Sequence, residues 1–167
     1  MLFRSPETNF GAMVSESQMN AVLGFIETAS KEGASLALGG KRVRANSGGF
    51  FVEPTVFDGV SPGSTLAQEE VFGPVLAVTT FRDADEALRI ANNTIFGLAS
   101  GVWTKDISLA HRAAREIKAG LVWINGWDSC DITMPFGGFK QSGFGRDRSL
   151  HALYKYADLK SVSITIR

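Results

Sequence analysis

Two stretches of the chain carry residue types at spacings suited to chemistry. The first is Gln-Glu-Glu-Val-Phe-Gly-Pro at residues 68–74, where two adjacent carboxylates, Glu69 and Glu70, precede an aromatic ring, Phe72, and a Gly-Pro turn that feeds an apolar run. Neighbouring side chains diverge, so only one of the two carboxylates need face inward. A carboxylate at the mouth of a sheet can accept two hydrogen bonds from vicinal hydroxyls, as acidic residues do on a ribose. The competing reading is a solvated helix end. The second stretch is Met-Pro-Phe-Gly-Gly-Phe-Lys-Gln-Ser-Gly-Phe-Gly-Arg at residues 134–146, with four glycines among three phenylalanines. Glycine permits close backbone approach, and the rings supply rigid apolar area. Such a loop suits the wall of an apolar substrate tunnel, and equally a packed Ω-loop with no ligand.

Other chemistry is missing from the residues. Gly138 and Gly143 have the spacing of a phosphate-binding loop, but Phe144 stands where a lysine must reach the phosphate. Gly143 and Gly145 begin a dinucleotide-type glycine pattern that Arg148 breaks at its third position. There is no Gly-x-Ser-x-Gly elbow. His111 and His151 share no ligand spacing with Cys130, so no metal site is expected. His111 reads as a helix-surface residue. A Cys-His nucleophile pair stays open but has no local signature. The residues by themselves show no catalytic machinery.

Composition narrows the class. The 167 residues suit one domain and are 44% hydrophobic and 20% charged, an ordinary globular mix. Seventeen basic residues balance seventeen acidic ones. That speaks against nucleic acid as a partner and against a polybasic membrane anchor. No run approaches the ~18 apolar residues of a membrane span, and the N-terminus lacks a signal-peptide core. One cysteine excludes an intrachain disulfide, which fits a reducing, cytoplasmic setting.

The elements that must position the two stretches follow from periodicity. Residues 1–13 read as a loop or a truncated end. Ser15 and Gln18 form a capping box for a helix from Glu16 to Glu32, with Met19, Val22, Leu23 and Ile26 on its apolar side. Residues 35–38 read as a short strand, 41–49 as a surface loop, and 50–57 as an extended run that Pro54 makes an edge or irregular strand. Residues 75–81 form a continuous apolar run suited to a strand buried on both faces. Asp83 starts a second helix. Residues 98–103 are a strand, and Asp106 caps a third helix to about Lys118, with Ile107, Ala110, Ala114 and Ile117 as its stripe. Residues 121–124 are a buried strand. From residue 75 to 124 this is a βαβαβ pattern, and the fold class is α/β, a helix-covered, mostly parallel sheet. At the C-terminus Val162, Ile164 and Ile166 alternate with polar residues, the pattern of a strand with one buried face.

Glu-Glu-Val-Phe-Gly-Pro followed some sixty residues later by Pro-Phe-Gly-Gly-Phe-Lys-Gln-Ser-Gly resembles the NAD(P)-dependent aldehyde dehydrogenase superfamily. Phe-Val-Glu-Pro-Thr-Val-Phe (51–57), Asn-Asn-Thr-Ile-Phe-Gly-Leu-Ala (92–99) and Gly-Leu-Val-Trp-Ile-Asn (120–125) resemble its intervening segments in order. Gly-Arg-Asp-Arg-Ser-Leu-His-Ala-Leu at 145–153 is similar to the aminoaldehyde branch, especially γ-glutamyl-γ-aminobutyraldehyde dehydrogenases. The resemblance implies oxidation of an aldehyde. In the family a cysteine thiolate attacks, a hydride passes to NAD(P)+, and a glutamate-activated water releases the acid. It further implies that the nucleophile, the general base and the cofactor domain lie upstream of these residues. The chain then reads as the C-terminal part of such an enzyme, inactive alone and not expected to bind NAD or NADP tightly.

Residue by residue, Glu70 resembles the group that holds the nicotinamide-side ribose. Phe72 resembles the aromatic at the nicotinamide end. Phe136 resembles a channel wall, and Trp127 and Cys130 resemble substrate anchors. Asp131 would face a cationic or polar end of the substrate, or else is an exposed loop carboxylate. Residues 14–158 would be the C-terminal part of the catalytic domain and 159–167 an oligomerisation strand joining a neighbouring subunit, so a homo-oligomer is expected. The alternative is a non-enzymatic module that pairs with a relative or with a separately encoded N-terminal half.

Overall fold

The computed structural model describes Thr8 to Ile166. The chain divides into two compact units, one ending at Phe81 and the other beginning at Arg82. Both are built from helices and short strands, and the class is α/β as expected.

The first unit is organised by helix α1 (Glu16–Lys31), whose N-cap Ser15 accepts a hydrogen bond from the Gln18 N–H at 3.1 Å. The reciprocal half of the capping box is absent, because the Gln18 amide donates instead to the Val71 and Phe72 carbonyls. Met19, Val22, Ile26 and Ala29, at spacings of 3, 4 and 3, are buried. Leu23 is only partly buried at the margin of that core. Each large apolar side chain so buried contributes roughly 1.5–3 kcal/mol.

Opposite α1 lies a three-stranded sheet, β1 (Ser35–Leu38), β4 (Thr55–Asp58) and β5 (Val75–Ala77), in the order β1-β4-β5. β1 runs antiparallel to β4 and β5 parallel to it. Residues 41–49 are not simply a loop. Arg42–Val43 (β2) pairs antiparallel with Phe51–Val52 (β3) around a 3-10 turn at Ala45–Ser47. Pro54 breaks the extended run, as a residue without an N–H must. The strand after it is central rather than an edge, since Phe57 and Thr55 are fully buried. The buried Thr55 hydroxyl is satisfied: it donates to the Glu53 carbonyl and accepts from the Gly40 N–H. The strand expected over 75–81 is shorter and less buried. It stops at Ala77, it lies at the sheet edge, and Leu76 and Phe81 are exposed. A one-turn helix, α2 (Thr65–Gln68), precedes it; Glu32 reaches its first turn, accepting from the Thr65 N–H and hydroxyl. A carboxylate there meets the positive end of the helix.

The second unit contains α3 (Ala84–Asn92), β6 (Ala99–Val102), α4 (Ile107–Glu116) and β7 (Leu121–Ile124). Asp83 and Asp106 cap the two helices through side-chain oxygens. β6 and β7 pair in parallel, Ala99 opposite Leu121 through Val102 opposite Ile124. Of the βαβαβ run, the second unit holds the parallel β6–α4–β7 part, and β5 ladders with β4 inside the first unit. The α4 stripe also needs correction. Ala110, Ala113 and Ile117 are buried, whereas Ile107 and Ala114 are exposed. Both stripes have helical spacing. The buried one turns Ala113 toward Leu88 and Ile117. His111 is exposed, as expected.

Two asparagines stitch this unit. Asn92 accepts from the Lys118 N–H and donates to the Glu116 carbonyl, closing the end of α4. Asn125, in the left-handed region at φ 52°, exchanges two 2.9 Å hydrogen bonds with the main chain of Thr104. Arg112 pairs with Glu116 on its own helix and with Asp85 on α3. Past a 3-10 turn at Leu150–Lys155, residues 157–166 form no strand and are exposed on both alternating faces. Among the described residues, the buried face expected for Val162, Ile164 and Ile166 is not formed.

Candidate functional site

In the first unit, residues 69–74 leave the C-terminal end of α2 and cross to β5. Glu69 is the extended C-cap of α2, and both Glu69 and Glu70 are exposed, so neither faces inward. The helix-end reading is therefore right about where the pair sits. Glu70 has no hydrogen bond or ion pair among the described residues, which leaves both carboxylate oxygens able to accept. Two residues on, Phe72 has φ 50° and its ring is 75% exposed. A left-handed non-glycine residue is strained and needs support from its surroundings. The support comes from α1. Gln18 holds the Val71 and Phe72 carbonyls at 3.2 and 2.9 Å. Gly73 lies so close to the helix that a Cβ would stand 2.5 Å from Val22 Cγ2. Val75 N–H then donates to the Gly73 carbonyl, and Thr55 N–H to the Pro74 carbonyl, joining the turn to the sheet. A free carboxylate beside an outward aromatic ring fits what a cofactor's ribose diol and flat heterocycle require.

In the second unit, residues 134–146 are held to the 92–97 loop by main-chain and side-chain bonds together. The Gly97 carbonyl accepts from both the Gly120 and the Phe139 N–H. Gly97 N–H donates to Ser142 Oγ at 3.0 Å, and Gln141 N–H to the Ile95 carbonyl. Lys140 donates to the Asn92 and Thr94 carbonyls. The chains cross so closely at Gly120 that an added Cβ would overlap the Gly137 carbonyl oxygen. Here the glycines serve a packed crossing, and the three phenylalanines differ. Phe144 is fully exposed and Phe139 partly so, with the Arg146 guanidinium 5.2 Å from the Phe139 ring centre. Phe136 is half-buried, paired through its backbone with Asp147 and covered by the Arg148 guanidinium at 5.3 Å.

The turn after β7 carries the remaining candidates. Trp127 is exposed and packs on the buried Trp123 with ring centres 4.9 Å apart. Cys130 is half-buried. Asp131 is exposed and accepts from the Thr133 N–H at 2.8 Å. Hydrogen bonding from Thr133 holds its carboxyl below the usual aspartate range, so it is ionised at neutral pH. No group of three or more His, Cys, Asp or Glu able to hold a metal ion exists among the described residues. No described helix is long and apolar enough to cross a membrane.

Sequence reasoning missed Gln18 and Arg148 as partners of the candidate residues. Gln18 announced itself only as a cap, and nothing local marks an arginine that will cover a ring twelve positions away.

The chain has counterparts among known proteins. The aldehyde dehydrogenase family model matches residues 3–162, and the chain belongs to that family. A betaine aldehyde dehydrogenase of Mesorhizobium japonicum is 48% identical over 161 residues, covering 95% of this chain and 33% of its own length. Among solved structures, an indole-3-acetaldehyde dehydrogenase in complex with NAD+ superposes with a TM-score of 0.92 at 54% identity, covering 97% of this chain and 33% of that one. A gamma-glutamyl-gamma-aminobutyraldehyde dehydrogenase from Burkholderia cenocepacia gives 0.86 at 54% identity, over 90% of this chain and 30% of that one. The chain spans about a third of the length of the relatives it matches.

Proposed function

We propose that these 167 residues act as the C-terminal part of an enzyme that oxidises aldehydes, aminoaldehydes in particular, to carboxylic acids with NAD or NADP. Bound there, the nicotinamide would supply the hydride acceptor. The chain's own contribution is placement. Glu70 accepts hydrogen bonds from the ribose diol, and Phe72 offers a flat apolar contact beside it. Phe136, Trp127 and Cys130 shape the substrate channel, while the ionised Asp131 faces a cationic or polar substrate end. The observation that carries the reading is the free Glu70 carboxylate beside the outward Phe72 ring, within a family match that runs almost the whole chain.

Cys130, the chain's one cysteine, lies in the turn between β7 and the 134–146 loop, where the reading makes it a channel residue and not the nucleophile. The isolated chain is then inactive. Purified chain is to be assayed for NADH formation with NAD+ and short aldehydes or aminoaldehydes. No turnover is expected, and turnover abolished by Cys130→Ser would overturn the assignment.

A second reading is favoured by the exposed alternation of Val162, Ile164 and Ile166. This segment adds as a strand to an exposed sheet edge, of a second copy or of a separately made N-terminal half. Size exclusion after co-expression with such a half tests it; failure to co-elute counts against it. A cytoplasmic setting, suggested by the lone cysteine, is part of the same proposal.

A further inference from the structure

Between Glu32 and Glu53 the chain has three basic residues, Lys41, Arg42 and Arg44, and no acidic one. None of the three joins an ion pair among the described residues. They lead into the tip of the β2–β3 hairpin, where residues 44–48 are all exposed. The tip carries Ser47, preceded by arginine at three and at five positions: Arg-Val-Arg-Ala-Asn-Ser, residues 42–47. In an extended chain residues two apart point to the same side, so one acidic surface can take both guanidiniums through charge-assisted bonds. The tip opens at little cost. Its ladder has two residues on each strand, and a hairpin that short is marginal by itself. The Ser47 hydroxyl is tied only locally, donating to the Arg44 carbonyl at 2.7 Å and accepting from the Gly49 N–H at 3.2 Å.

A second serine, Ser149, follows arginines at 146 and 148, and the structure separates the two. Ser149 is half-buried with φ 52°, and its N–H donates to the Ile132 carbonyl at 2.8 Å. Arg146 is spent on the Gly138 and Gly145 carbonyls. The arginines before Ser47 have no such internal partners; the Arg44 guanidinium only rests 5.6 Å from the centre of the Phe51 ring.

We propose that Ser47 is a phosphorylation site, modified by a serine kinase that reads Arg42 and Arg44 and uses MgATP. The Ser47 Oγ bonds to the γ-phosphorus as the bond from that phosphorus to the bridging oxygen breaks. ADP leaves, and the hydroxyl proton passes to the base of the kinase. The product carries about −2 charges at pH 7, which offsets roughly two of the three positive charges at the tip. Its oxygens can still accept from the Gly49 N–H, but nothing is left to donate to the Arg44 carbonyl. The site is independent of the cofactor and channel roles proposed above.

The test uses the full 167-residue chain with MgATP and a purified serine kinase that selects arginine three and five residues before its target. Intact mass counts the phosphates, and fragmentation places them. Wild type should gain one phosphate, at Ser47. Ser149→Ala should gain it equally, Ser47→Ala should gain none, and Ser47→Thr, which keeps a hydroxyl, should still be modified. The double variant Arg42→Gln/Arg44→Gln removes two charge-assisted contacts to the kinase and should slow the initial rate at least about tenfold. Circular dichroism should be the same for all of these variants, since the tip lies outside the core. Wild-type chain that takes no phosphate, or takes it at Ser149 with Ser47 untouched, would overturn the site. Modification of Ser47 at an undiminished rate in the double arginine variant would overturn its recognition through Arg42 and Arg44.

Discussion

In the first unit the candidate segment at 68–74 leans on one helix through a glutamine amide and a valine, over a core of eight buried residues that includes Phe57. In the second unit the 134–146 segment is woven through the 92–97 loop by main-chain bonds and by the Lys140 and Ser142 side chains, and the nearby buried cluster has three members, Leu88, Ala113 and Ile117. The first segment is seated on its helix by side chains, and the second is crossed so closely by backbone that Gly120 leaves no room for a Cβ. The first should fail when a side chain is removed, the second when one is added.

Removing a side chain from the first core should have the largest effect. Phe57 is fully buried, and Phe57→Ala should cost about 4 kcal/mol through lost transfer energy and a cavity, read as a lowered urea midpoint. Gly120→Ala should follow at about 3 kcal/mol, because its Cβ meets a carbonyl of a chain that cannot step aside. Gly73→Ala meets only the Val22 side chain and should cost about 1–2 kcal/mol. The double variant Gly73→Ala/Val22→Ala should then lose less than the sum of the two singles, a coupling of at least about 0.5 kcal/mol. Additivity would show that the Val22 side chain is not what a Cβ at Gly73 meets. Asp106→Ala removes oxygen contacts to the Ser108 and Leu109 N–H groups and should cost about 1 kcal/mol, seen as fraying of α4 by circular dichroism.

The smallest effect is one of pH. Hydrogen bonding from Arg82 holds the Glu86 carboxyl below its ordinary value of 4.5. A depressed folded value means the pair's contribution is present above pH ~4.5 and is lost as pH falls through the lower folded value. Glu86→Gln should flatten the acid limb of the stability curve in that window, by little, since surface pairs of this kind are weak. A steeper acid limb in the variant would contradict the sign.

The legible parts of the sequence were those governed by local rules. Caps at Ser15, Asp83 and Asp106 fell where hydroxyl and carboxylate side chains precede apolar periodicity, because a cap is settled within four residues. The glycine-phenylalanine loop was recognisable from its composition, and the family from the order of its motifs. Non-local decisions were not legible. Ala113 and Ala114 fit the helical period equally well, and only the position of Leu88 chooses between them. The run from Val75 reads as doubly buried, yet its exposure depends on which strands pair beside it. Gln18 satisfied a local pattern and was used for a distant one, and no spacing rule reports a contact 54 residues away.

Asn125 is followed by Gly126, the dipeptide in which an asparagine amide is most easily attacked by the next backbone nitrogen, closing a succinimide and ageing the protein to aspartate and isoaspartate. The ring can close only if the side chain swings toward the Gly126 nitrogen. Here both ends of the amide are tied to the Thr104 main chain, so the swing requires two hydrogen bonds to break at once. The parallel pair β6–β7 thus guards the chemical lifetime of the turn that leads to Trp127 and Cys130, and mass drift at Asn125 would serve as a slow clock of how often that end of the sheet opens.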